Sequence, residues 1–230
     1  MKEIEADLQF KAAGYVLGEP LIATFRMRNP GTTTLEVDLG HRRKELFAFS
    51  LDDPERRTIH KTKLPAEGGA SPLAVVSIPA QQTYEQPLHL DEWFSICIPG
   101  QYELEWEGPL LLSVPGGMLS GKASFLLGPR DASYLEQLCA HLEETARNGN
   151  IPACYTLSWV RDPIAIPYIV RLCREFATRN EFFHGLLLPM VSAGLRRIGT
   201  EEAVQALNQV GTGADRMILR GHEKRFLIFD

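Results

Sequence analysis

The feature that most constrains this chain is a change of hydrophobic period at Pro129. Before it, apolar residues alternate with polar ones, which is the two-residue period of a strand with one buried face. Ile4, Ala6, Leu8 and Phe10 alternate with Glu5, Asp7 and Gln9, and Leu21, Ala23, Phe25 and Met27 lie opposite Arg26 and Arg28. After it, apolar residues recur at helical spacing, as in Leu135, Leu138, Cys139 and Leu142. One backbone geometry cannot satisfy both periods, so the chain is expected to hold two cores. Its 230 residues, 44% of them apolar, are enough for both.

The first half reads as about eight short strands. After Ile4–Phe10 and Leu21–Arg28 come runs at Leu35–Leu39, Leu46–Leu51, Leu73–Ile78, Tyr84–Leu90, Gln101–Trp106 and Lys122–Leu127, separated by Gly and Pro. Asn29-Pro30-Gly31 stops the second run, and Gly116-Gly117 and Leu119-Ser120-Gly121-Lys122 read as turns. Glu103, Glu105 and Glu107 alternate with Tyr102, Leu104 and Trp106, which makes them a solvent face rather than a pair of catalytic carboxylates. The polar stretch Asp52–Pro72 reads as a long loop. Tyr15-x-x-Gly18-Glu19-Pro20-Leu21, then Phe25-x-x-x-Asn29-x-Gly31 and a late Pro99-Gly100-x-Tyr102, resemble the Ig-like domains of bacterial surface and periplasmic proteins. The resemblance implies an immunoglobulin-like antiparallel β-sandwich over residues 1–128, in which Gly-Glu-Pro opens the second strand. It implies no particular function.

In the second half, Asp131 is the expected N-cap of a helix closed by Asn148-Gly149-Asn150. A second helix starts near Ile151-Pro152, and a third follows Asp162-Pro163, where Asp caps free amides and Pro presets φ. Thr156–Ile169 aligns with Gly194–Leu207 at a shift of 38 residues, pairing Leu157 with Leu195, Val160 with Ile198, Ala165 with Ala203 and Ile169 with Leu207. Both copies resemble the HEAT-like repeat of the phycobilisome-lyase type, with Ser158, Arg196 and Arg161 departing at the glycine positions. The implied architecture is multidomain, β plus α, with α-helical HEAT-like repeats over 129–230. Such repeats bury their faces only against neighbours or caps. Residues 211–230 combine a Gly211-Thr-Gly213 break, a stretch Asp215–Leu219 that reads as a short helix and a strand-like Arg225–Phe229.

Residues 1–129 carry 12 basic and 17 acidic side chains, and residues 130–230 carry 12 of each. Neither balance suggests a nucleic-acid footprint. Clusters at His41-Arg42-Arg43-Lys44, Arg56-Arg57, Lys61 and Lys63 read as a solvated loop face ahead of an anion or partner site. No run is long and apolar enough for a transmembrane helix. The compartment stays open: cytoplasmic as the sequence stands, periplasmic or envelope if a leader has been removed. Cys97, in a strand, and Cys139, Cys154 and Cys173, in helices, read as small core residues. The six scattered histidines show no ligand spacing. No motif marks a nucleophile, so no catalytic residue, metal or cofactor is assigned.

The functional expectation is a non-enzymatic protein that binds or scaffolds another protein. The alternatives are an envelope-located inhibitor or sensor, and a bilin-lyase-like enzyme or accessory implied by the repeat type. Leu157, Val160, Ala165, Ile166, Ile169 and Cys173 form the expected buried stripe. That pattern leaves Trp159, Tyr168, Arg171 and Glu175 on or near the surface as partner-binding residues, since Trp, Tyr and Arg are common interface anchors. Trp159 has a second reading, as a contact packed against the sandwich or the first helix.

Overall fold

A computed structural model describes residues 4–38, 47–59, 75–111, 117–179 and 182–210. The chain divides into two compact units, one of residues 1–17 and 21–129, the other of residues 18–20 and 130–230.

The first unit is built from β1 (Glu5–Gln9), β2 (Tyr15–Val16), β3 (Ile22–Arg28), β4 (Leu35–Asp38), β5 (Ala48–Asp52), β6 (Thr58–Ile59), β7 (Val75–Ile78), β8 (Thr83–His89), β9 (Gly100–Leu111) and β10 (Gly117–Gly128). One sheet has the order β1-β3-β8 and is antiparallel. The other runs β2-β10-β9-β4-β7, with β5 and β6 attached through β9. Its β2 and β10 pair in parallel, Tyr15 beside Leu127, so this sheet is mixed.

Alternation places Leu21, Ala23, Phe25 and Met27 in the core with Tyr102, Leu104 and Trp106, while Glu103, Glu105 and Glu107 face solvent. Aromatic rings fill the interior, Phe25 meeting Phe47 and Trp106 edge-on at 5.1 and 5.6 Å. Buried polar groups tie the loops: Asn29 Nδ2 donates to Thr33 O and Ile78 O, and Asp91 Oδ2 accepts from Leu21 N at 2.6 Å. Two expectations fail here. Leu119–Lys122 is part of β10 rather than a turn, because Gly121 lets the Trp106 ring pack where a Cβ would stand 2.8 Å away. Cys97 lies outside any strand and is exposed.

The second unit contains α1 (Ala132–Arg147), α2 (Ile151–Leu157), α3 (Ile166–Phe176), α4 (Leu188–Ile198) and a helix α5 over 201–210. Asp131 caps α1 by accepting from Tyr134 N, Asn150 caps α2 through Ala153 N, and Asp162 accepts from Ile164 N. A 3-10 turn, Pro163–Ala165, leads into α3, and a π-helical turn, Phe183–Leu187, leads into α4. Gly199, at φ 67°, closes α4 in the left-handed conformation. The stripe Leu157, Val160, Ala165, Ile166, Ile169 and Cys173 is buried, with Cys139, Cys154, Leu172, Phe176, Val191 and Leu195.

Gly18-Glu19-Pro20, expected to open a strand of the first unit, clusters with the helices instead. Gly18 O accepts from Arg161 N at 3.0 Å, and Glu19 Oε1 accepts from Tyr134 Oη at 2.7 Å. The structure therefore supports a β-rich unit followed by a helical one. The basic cluster at 41–44, Lys61, Lys63, Gly116 and the segment 211–230 lie outside the described residues, as does most of the expected loop over 52–72.

Candidate functional site

Among the described residues, packing of α1 against α3 carries the most concentrated charged arrangement of the helical unit. Glu143 projects from α1 and is only 8% exposed. A carboxylate so placed is costly to keep ionised unless it is paired. Arg171 of α3 supplies a fork, Nε donating to Oε1 at 2.8 Å and Nη2 to Oε2 at 2.7 Å. Arg147, one helical turn along α1, donates from Nη2 to the same Oε1 at 2.8 Å.

The chain of pairs continues past Glu143. Arg147 Nε lies 3.3 Å from Glu175 Oε2, Glu175 Oε1 pairs with Arg179, and Arg179 Nη1 donates to Arg147 O at 2.6 Å. Rings flank both ends: Arg171 lies 4.6 Å over Tyr168, and Arg179 lies 4.5 Å over Phe183. Two carboxylates thus hold three guanidinium groups, and Arg147, Arg171 and Arg179 remain 47%, 46% and 34% exposed.

The electrostatics follow from this geometry. Burial pushes the Glu143 carboxyl up, but the hydrogen bonds and charges of Arg171 and Arg147 outweigh it, and the group sits below its ordinary value. The hydrogen bonds to Glu143 hold Arg171 above its ordinary range. Asp162 is likewise held low, first by its side-chain pairing with Arg130 and then, against the effect of burial, by the amide of Ile164. Burial pushes the thiols of Cys139 and Cys173 up to about 12 and that of Cys154 to about 11, so they stay protonated and pack as small apolar groups.

Of the four expected partner-binding residues, Tyr168, Arg171 and Glu175 meet in this arrangement. Trp159 does not: it is 7% exposed, and its expected position at the surface is corrected. Helix α2 ends at Leu157, so the helical wheel no longer applies two residues later. Trp159 turns under α4, with Tyr155 at 6.1 Å and Arg197 3.7 Å over its ring. The sequence reading missed Glu143, Arg147 and Arg179. Their i, i+4 pairs, Glu143 with Arg147 and Glu175 with Arg179, were a readable signal, whereas the cross-helix bond from 143 to 171 was not.

Among the described residues, no group of three or more His, Cys, Asp or Glu side chains could hold a metal ion, and no helix is long and apolar enough to cross a membrane. Two surface cavities lie among the described residues. One of about 360 Å³ is lined by Phe10, Lys11, Gln101, Lys122 and Phe125 among others, and one of about 490 Å³ by His141, Glu144, Thr145 and Asn148–Asn150.

No family model matches this chain, and no curated protein matches it. Among solved structures it is similar to the Pseudomonas fluorescens alkylpurine DNA glycosylase AlkC bound to DNA containing an abasic site analog, at 18% identity and a TM-score of 0.28. The match covers 55% of this chain and 30% of that one, so the chain spans less than a third of the glycosylase's length. A TM-score of 0.28 defines neither a shared fold nor a shared function. The resemblance to a bacterial Ig-like domain followed by phycobilisome-lyase HEAT repeats is corrected by these findings. One sheet is mixed, and the two aligned helical copies enter their second helices differently, through the 3-10 turn Pro163–Ala165 before α3 and without such a turn before α5. The bilin-lyase reading rested on that resemblance alone and is left without support from it.

Proposed function

We propose that this chain is a non-enzymatic binding or scaffolding protein, and that the α1–α3 face of its helical unit is the surface that holds another protein. The observation that carries the reading is the fixing of three half-exposed guanidinium groups by Glu143 and Glu175. A free arginine loses rotamer entropy when it is captured, whereas one already tethered loses little, so these groups are prepared for contact. Tyr168, Arg171 and Glu175 are the contact residues, joined by Arg147 and Arg179.

A photo-reactive amino acid at Arg174, an exposed position on α3, tests this when activated in the native cell. A discrete adduct with one protein is expected there, and none from the same probe at Gln205 on α5. Equal labelling at both positions, or turnover of a small molecule that depends on these arginines, would overturn the proposal.

A further inference from the structure

The chemistry of this face narrows the partner. Arg147, Arg171 and Arg179 each engage the chain's own acceptors through two nitrogens, and Arg171 also meets the Tyr168 side chain, which still leaves part of the five N–H groups of each for a further acceptor. Glu143 is buried and accepts three bonds, so its charge is spent within the protein. The guanidinium groups keep their exposed edges, and Arg174 adds an exposed positive charge on the same helix.

We infer that the α1–α3 face binds an acidic peptide segment of the partner, with side-chain carboxylates received by Arg171 and Arg179; this rests on the binding reading above. Arg171 and Arg179 are eight positions apart through α3 and the turn after it, about 12 Å at about 1.5 Å per residue. An extended peptide advances about 3.3 Å per residue and alternates its side chains between two faces, so carboxylates four residues apart share a face and match that span. Arg147, bonded between the two glutamates, stands between the two positions and can bridge to either carboxylate. Tyr168 against Arg171 and Phe183 against Arg179 restrict both guanidinium groups before the peptide arrives.

A nucleic-acid strand fits less well. It presents phosphates continuously and needs an extended positive track. Here the positive stretch is short, confined to Arg147, Arg171, Arg174 and Arg179, which suits a few carboxylates better than a continuous run of phosphates.

The test is fluorescence anisotropy with the full chain and a labelled Gly/Ser peptide carrying Glu pairs at that spacing. Saturable binding is expected, weakened about tenfold or more when salt rises from about 0.05 to 0.5 M. It should be lost when Gln replaces Glu in the peptide, and weakened at least about tenfold by Arg179→Gln. Arg171→Lys, which keeps the charge but loses the fork, should weaken it less than Arg171→Gln. Circular dichroism establishes that each variant is folded. The inference is overturned by equal binding of the Gln peptide, by a folded Arg179→Gln protein that binds as wild type, or by tighter binding of an oligonucleotide of equal charge at the same arginines. Excess Glu peptide should also suppress the adduct from the Arg174 probe. An adduct that persists would leave the binding surface standing and remove the acidic class, whereas peptide binding without any adduct would remove the native partner.

Discussion

The guanidinium of Arg197 lies 3.7 Å over the indole of Trp159, while its Nη1 donates to Ser158 O at 2.9 Å and to Ser158 Oγ at 3.0 Å. With this cover from α4, the largest side chain of the α2–α3 connection is only 7% exposed. Trp159→Ala should therefore lower stability by about 3–5 kcal/mol, as truncation of a buried aromatic does. Trp159→Phe should be far milder, because it keeps a ring and removes an indole N–H that has no hydrogen-bond partner among the described residues. Urea unfolding of both variants checks this. A Trp159→Ala protein as stable as wild type would show that the indole is not held in the core.

Gly194 and Gly185 should respond oppositely to alanine. A Cβ at Gly194 would stand 2.8 Å from Ile169 Cδ1 and 3.1 Å from Ser158 Cα, so α4 approaches α3 and the end of α2 only because that position lacks a side chain. Gly194→Ala is expected to cost about 1–3 kcal/mol through overpacking. At Gly185, in the π-helical turn, a Cβ meets nothing within 4 Å, and Gly185→Ala should be neutral or stabilise by up to about 1 kcal/mol. Thermal melts of the two variants decide the order, and a Gly194→Ala protein that melts with wild type would contradict the close approach.

Acid should weaken the helical unit through Glu143 and Asp162. Both carboxyls are held below their ordinary values of 4.5 and 3.8 in the folded protein. A depressed folded pKa contributes stability that is complete above the unfolded value and is lost as pH falls through the folded one. The urea midpoint should thus be insensitive to these groups above about pH 5.5 and fall progressively below about pH 4.5. Glu143→Gln should be less stable than wild type at neutral pH, since Arg171 and Arg147 lose their charged partner, and should show a shallower acid decline. An unchanged slope in that variant would remove Glu143 from the acid response.

Much of the fold was readable because it rests on local rules. Alternation identified the core faces of β3 and β9, and side-chain capping at Asp131 and Asp162 marked two of the helical starts. What escaped depended on distant pairings. The parallel bond pattern of Tyr15 with Leu127 spans more than a hundred residues and leaves no local pattern. The membership of Gly18–Pro20 in the helical unit is set by Arg161 and Tyr134, far along the chain. On α3, helical spacing put Tyr168, Arg171 and Glu175 on or near the surface, where Arg171 is exposed and the other two are partly buried. It misplaced Trp159 because α2 stops at Leu157, and it could not reveal that Glu143 of α1 receives Arg171.

The most direct measurement is the adduct yield from the photo-reactive probe at Arg174 when Arg147 and Arg179 are both changed to Gln. With circular dichroism confirming a folded helical unit, the yield of the partner adduct should fall at least about tenfold, as expected when anchoring side chains are removed from an interface. A folded double variant that captures the same protein with undiminished yield would contradict the assignment of the α1–α3 face as the binding surface.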